Sequence, residues 1–220
     1  MTGDSMAAAL LLTRQAETPL SEIQFHAQTA AGLDLSNLEL RQAFFQSCRF
    51  SDCDLSCAAF YGCRFTDCLF ERCRFGRSYW QDTILSGCKA DGGDFRKARL
   101  KHCTLEGTLL RYANFTASTW DRTSLTGCSL QEAILAEAHI TRTLFHDADL
   151  TGASFFHTPL ADTDLSRCTL DRLVLSPTFG QLKGPGFSAA HAAVGSSPSK
   201  SVRHRNPLNH FFIFRIISSS

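Results

Sequence analysis

Ala43-Phe44-Phe45-Gln46-Ser47-Cys48-Arg49-Phe50-Ser51-Asp52-Cys53-Asp54-Leu55 places a large apolar residue at 45, 50 and 55 and a small residue at 43, 48 and 53. The same two columns run outward in both directions. From Leu35 to Leu175 every fifth residue is apolar, through Phe60, Phe65, Phe70, Phe75, Trp80, Ala90, Trp120, Ile140 and Leu160, 29 positions without a miss. With 44% of the chain hydrophobic, independent draws produce such a run with a chance of roughly 10⁻¹⁰. The column two residues earlier holds only Ala, Cys, Ser, Thr or Gly from Ala43 to Cys168.

A helix repeats its faces every 3.6 residues and a strand every 2, so neither keeps both columns inward through 29 cycles of five. A coil of short straight sides joined by corners does. Each large residue buried on such a side contributes about 1.5–3 kcal/mol, which gives the columns an architectural role.

The units resemble the pentapeptide repeat, A(D/N)Lxx. Ala148-Asp149-Leu150-Thr151-Gly152 matches it outright, and Ala113-Asn114-Phe115, Gly93-Asp94-Phe95 and Thr163-Asp164-Leu165 come close. The resemblance covers about two thirds of the chain. It implies an all-β fold, a right-handed quadrilateral β-helix with four pentapeptides per coil and about seven coils. The expected organisation is an N-terminal extension and cap over 1–32, the β-helix over 33–177, and an irregular tail over 178–220. In-frame Ile23 and Phe25 suggest an imperfect first coil beginning near residue 22, with Thr13 to Leu20 as cover for its edge.

The 220 residues carry 22 Lys and Arg against 21 Asp and Glu, so bulk charge favours neither a nucleic acid nor an anionic membrane. The distribution is uneven. Residues 41–111 hold 12 basic against 8 acidic side chains, residues 112–177 hold 4 against 8, and the tail holds five basic and no acidic ones.

Nine of the ten cysteines (Cys48, Cys53, Cys63, Cys68, Cys73, Cys88, Cys103, Cys128 and Cys168) fall in the small inward column. There a free thiol serves as a compact apolar spacer, not a disulfide partner or metal ligand. Cys57 stands outward. Ala7 to Leu12 is too short for a bilayer span and lacks a basic flank, so the expectation is a cytoplasmic protein with no membrane span.

In the tail, Phe187 to Val194 predicts a short helix near 187–194, stopped by Gly195-Ser196-Ser197-Pro198. Relatives of the Qnr and MfpA type end in a helix that pairs two subunits, and here that dimerisation helix is interrupted. Qnr-type members, which protect DNA gyrase from quinolones, also carry projecting loops. The unbroken frame from 35 to 175 offers none.

A filled coil offers no pocket for catalysis, and His102, His139, His146 and His157 have no metal-ligand spacing. The expectation is a non-enzymatic protein without cofactor or metal. Two outward surfaces are candidates for a partner. The basic one comprises Arg74, Arg77, Lys89, Arg96, Lys97, Arg99 and Lys101, on adjacent faces of neighbouring coils; it is either a solvated surface with internal ion pairs or a contact for an anion or an acidic partner. The acidic one comprises Asp121, Glu132, Glu137, Asp147, Asp149, Asp162 and Asp164.

Two functions stay open. One is a protein-interaction scaffold or adaptor, its partner unidentified and secretion-system components among the candidates. The other is a DNA-mimicking inhibitor or immunity factor directed at a type II topoisomerase such as gyrase, in the manner of MfpA-like members. A net charge of about −2 over residues 33–177 is small for mimicry of a duplex carrying a charge every ~1.7 Å. Direct binding of nucleic acid is not expected in either case.

Overall fold

The structure, a computed structural model, describes residues 5–160 and 163–176. It is a parallel β-solenoid of about eight turns with four faces, one pentapeptide per face and 20 residues per turn.

Face A is a seven-stranded parallel sheet from Leu20–Ser21 through Glu39–Arg41, Ala59–Tyr61, Tyr79–Gln81, Arg99–Lys101 and Thr119–Asp121 to His139–Thr141. Its register advances by 20, so Phe60 pairs with Trp80, and Trp80 with Leu100. Face B is a second seven-stranded sheet, from Gln24–His26 to Leu144–His146. Face C begins with three paired strands, Thr29–Ala31, Arg49–Ser51 and Leu69–Glu71, and continues as single bridges from Lys89 to Thr169. Face D is a column of bridges from Asp34 to Ser154, closed by strands Ser154–Phe155 and Val174–Leu175. Strand pairing already starts at Leu20, so the coil reaches further towards the N-terminus than the double ladder does and makes about one more turn than expected.

The corners follow from one backbone feature. The residue two after each large apolar residue has a positive φ at every corner from Glu22 to His157, whether glycine or not. Seven glycines take this position without steric cost, Gly62 and Gly127 among them. Asn37, Arg77, Lys97 and His102 adopt it as well, at a cost of about 1–2 kcal/mol each. The cost is offset because the N–H there donates to the next coil: Asn37 to the Ser56 carbonyl at 3.0 Å, Cys57 to Gly76 at 2.9 Å.

Inside, side chains of successive coils stack directly. Phe45 and Phe65 lie 4.9 Å apart with planes 5° from parallel, Phe75 and Phe95 4.6 Å apart, and Phe60 and Trp80 4.0 Å apart. Around Ala90, Phe95 turns its ring over Gly93: a Cβ on Gly93 would stand 2.7 Å from that ring. The small column also does more than fill space. Cys88 Sγ donates to the Phe65 carbonyl at 3.3 Å, and Thr108 Oγ1 makes the equivalent bond to Leu85 at 3.2 Å. Thiol and hydroxyl are thus interchangeable donors that tie one coil to the last. Eight of the nine inward cysteines are buried, Cys168 is half-buried and Cys57 exposed. Burial pushes the Cys63 and Cys128 thiols up to about 11 and Cys103 up to about 12, which keeps them protonated and unreactive.

The N-terminal end is covered by an 11-residue helix, α1, Met6–Ala16. Ser5 caps it by accepting from Ala8 N–H, and Glu17 ends it in a left-handed conformation. Met6 and Leu10 are fully buried against the first coil, the Met6 N–H donates to Gln28 Oε1 at 2.6 Å, and Arg14 reaches Asp34 at 3.2 Å. The cover therefore comes mainly from the apolar stretch upstream of Thr13, not from Thr13 to Leu20. It protects a parallel edge that would otherwise offer unpaired backbone groups. No helix among the described residues is long and apolar enough to cross a membrane. The tail helix, its interruption and the dimerisation reading lie outside the described residues.

Candidate interaction surface

Outward side chains form columns along each face, spaced by one coil, ~4.8 Å. Coil arithmetic alone pairs many of their charges. Arg72 meets Asp52 at 2.6 Å, Arg74 meets Asp54 at 2.8 Å, and Arg167 meets Asp147 at 3.3 Å, each across 20 residues.

Of the basic residues singled out above, three are engaged. Arg74 holds Asp54, Arg96 forks onto Asp94 at 2.7 Å, and Lys89 stands 3.9 Å from Asp91. Lys89 also lies on face C, on the far side of the rod from face A, so the structure does not bring it to the others. Arg77, Lys97, Arg99 and Lys101 form no ion pair with any described residue. Arg77 and Lys97 are consecutive at the corner from face D to face A, both left-handed with φ 59° and 60°. Arg99 and Lys101 flank the buried Leu100 on face A, Arg99 in register with Tyr79 and Lys101 with Gln81. All but Lys101 are exposed, and Lys101 is half-exposed.

Beneath them lie two tyrosines that composition and spacing did not flag. Tyr61 and Tyr79 stand 5.6 Å apart, Arg41 sits 5.1 Å over the Tyr61 ring, and the Tyr79 hydroxyl donates to Gln81 Oε1 at 2.8 Å. The signal available was their outward position on the face that carries Arg99. At the far corner of face A, His102 bridges three coils, 3.2 Å from Asp82 and 3.1 Å from Arg122. That network takes one tautomer, Nδ1–H donating to Asp82 and Nε2 accepting from Arg122.

The acidic candidates are dispersed. Asp121 is on face A and bound to Arg142 at 2.6 Å. Glu132 pairs with Arg172 at 3.0 Å at the corner after face C. Glu137 is exposed at the corner from D to A. Asp147 sits at the corner after face B, 3.3 Å from both His146 and Arg167. Asp149 and Asp164 have internal work: each accepts the backbone N–H two residues on, of Thr151 and Ser166, at 2.9 Å. Asp34, Asp54, Asp94 and Asn114 do the same, so the Asp or Asn of the repeat closes its own corner. The bond favours the charged form: the Ser36 hydroxyl and amide hold Asp34 below the ordinary carboxylate value, and the Ser166 amide and hydroxyl do so for Asp164. Asp162 lies outside the described residues. No group of His, Cys, Asp and Glu among the described residues is arranged to hold a metal ion.

A family model described as pentapeptide repeats (8 copies) matches residues 31–67, and one described as a pentapeptide repeat region matches residues 63–135. These matches, on a chain already seen to wind one pentapeptide per face, make it a pentapeptide-repeat protein. No curated protein sequence matches it. Among solved structures, full-length QnrB1, a plasmid-mediated fluoroquinolone resistance protein, is similar at 18% identity over 76% of this chain and 92% of its own, with a TM-score of 0.40. HetL of the cyanobacterium Nostoc sp. strain PCC 7120, a pentapeptide-repeat protein involved in heterocyst differentiation regulation, is similar at 18% identity over 78% of this chain and 87% of its own, with a TM-score of 0.39.

Proposed function

We propose that the chain is a non-catalytic interaction scaffold, a rigid rod that presents fixed columns of side chains to a protein partner. One observation carries the reading: among the described residues, four of the five cations whose side chains have neither an ion pair nor a hydrogen bond, Arg77, Lys97, Arg99 and Lys101, lie together along face A and its entry corner, and only Arg64 stands apart on face B. Exposed cations on a rigid sheet, next to half-buried tyrosines, suit a contact whose partner supplies negative charge. The carboxylates support mimicry of DNA less well, because a groove-filling mimic needs them in a continuous row. Here they lie on all four sides, and most are spent on arginines or on corner hydrogen bonds.

A supercoiling assay with purified gyrase and the full chain separates the readings. The scaffold reading expects no change in supercoiling and no relief of quinolone poisoning at micromolar protein; inhibition or relief would instead select the topoisomerase-directed reading.

A further inference from the structure

We propose that the cationic row Lys97, Arg99 and Lys101, with Arg77 and Tyr79 of the coil beneath, binds an extended acidic segment of a partner protein whose carboxylates fall on alternate residues. The inference rests on the scaffold reading and names the chemistry of the partner. Lys97, Arg99 and Lys101 are the successive outward residues of one coil, because Ala98 and Leu100 between them point into the core with 0% and 6% exposure. Alternate residues of an extended chain recur every ~6.6–6.8 Å on one side. A second extended segment lying along the strand therefore repeats its own side chains at the Arg99–Lys101 interval, so Asp or Glu at every other position meets both, and a further one reaches the corner where Lys97 stands at φ 60°.

The surroundings favour such a segment. The corner cation Arg77 lies one coil below Lys97, and Tyr79 one coil below Arg99. The Tyr79 hydroxyl is tied to Gln81, which fixes the ring on the floor of the site, where Tyr and Arg contribute most to protein contacts. The strip is also bounded. Asp121 stands in register above Lys101 with its carboxylate held by Arg142, and Asp82 closes the far corner with His102. A nucleic acid strand needs a longer cationic track with stacking platforms along it, whereas three cations on a single coil match the charge of a short acidic segment.

Fluorescence anisotropy with the full chain tests this, using a labelled peptide that alternates Glu and Ser, an isomer with its Glu residues in one block, and a single-stranded oligothymidylate of equal charge. The expected result is that the alternating peptide binds best, that Lys97→Ala, Arg99→Ala and Lys101→Ala together weaken it roughly tenfold, and that Arg72→Ala at the corner after face C changes it less than about twofold. Unchanged thermal melts confirm that the triple variant is folded. No saturable binding, equal affinity for the blocked isomer, tighter binding of the oligothymidylate, or full binding by the triple variant each overturns the proposal. If the peptide fails and gyrase is unaffected, the docking site falls while the scaffold reading stands; if gyrase is inhibited, the scaffold reading falls.

Discussion

The indole N–H of Trp80 donates to the hydroxyl of Ser78, two residues earlier, at 2.7 Å. Trp120 does the same with Ser118 at 2.9 Å. All four residues are buried, and these are the only serines in the inward small column from Ala43 to Cys168. The two residue types answer each other: the large column admits an indole where the small column supplies an acceptor for its N–H. An alanine there would leave a buried donor without a partner.

Ser78→Ala is accordingly expected to destabilise the rod by about 1–3 kcal/mol, the cost of stranding a buried N–H. Ser78→Ala combined with Trp80→Phe should recover much of that loss, because the donor and its acceptor are then removed together. Denaturant unfolding of the single and double variants measures both, and equal losses would show that the hydroxyl fills space and does no more.

The period of five made the inward residues legible, since Phe45 and Cys48 sit in columns that no other fold keeps in phase. It left three things hidden. The Cys and Thr donors became visible only with the carbonyls of the preceding coil in place, as with Cys88 and Phe65. The helix over Met6–Ala16 stays hidden because the short apolar run Ala7 to Leu12 carries no long amphipathic period, and Ser5 as a cap is the one local clue to it. The pairing of the basic residues also depends on the 20-residue coil. Arg74 meets Asp54 because one turn separates them, and Lys89 leaves the cluster because the same arithmetic puts it on face C.

Thiol labelling under native conditions should modify Cys57 first, because it is the one exposed cysteine among the ten. Denaturation should release the other nine. Cys63→Thr should keep the fold within about 1 kcal/mol, since Thr83 in the same column already donates to the Phe60 carbonyl at 3.2 Å. Rapid native labelling of several thiols would contradict the sealed core.

Phe65→Asp should unfold the rod. Phe65 is 1% exposed, stacked on Phe45 and edge-on to Phe60, so a carboxylate there costs more than about 4 kcal/mol. Arg64→Ala, exposed on the same strand, should shift the melt little; similar losses in the two melts would refute the inward and outward assignment.

Ala117→Gly should stabilise the chain. Ala117 holds φ at 56°, a conformation that costs an L-residue about 1–2 kcal/mol and glycine nothing, against about 0.5–1 kcal/mol for the extra freedom of glycine when unfolded. The net expectation is a gain of up to about 1 kcal/mol, read as a higher denaturation midpoint with an unchanged slope. A loss would mean that the methyl group packs usefully at that corner.

Acid sensitivity should reside partly in the corners. The Ser36 hydroxyl and amide lower the pKa of Asp34, and the Ser166 amide and hydroxyl lower that of Asp164. A carboxylate with a depressed folded pKa adds stability above the unfolded value, ordinarily 3.8, and that contribution is lost as the pH falls through the folded value. The stabilising window therefore lies above about pH 4, and the loss below it. Asn114 shows that an amide oxygen closes the same corner, accepting the Thr116 N–H at 2.9 Å. Asp34→Asn with Asp164→Asn should thus keep the fold at neutral pH while moving the acid-unfolding midpoint, followed by circular dichroism, to lower pH. A midpoint that rises would show that the corners depend on the charge of the carboxylate, including the Arg14 contact of Asp34, more than on its position as an acceptor.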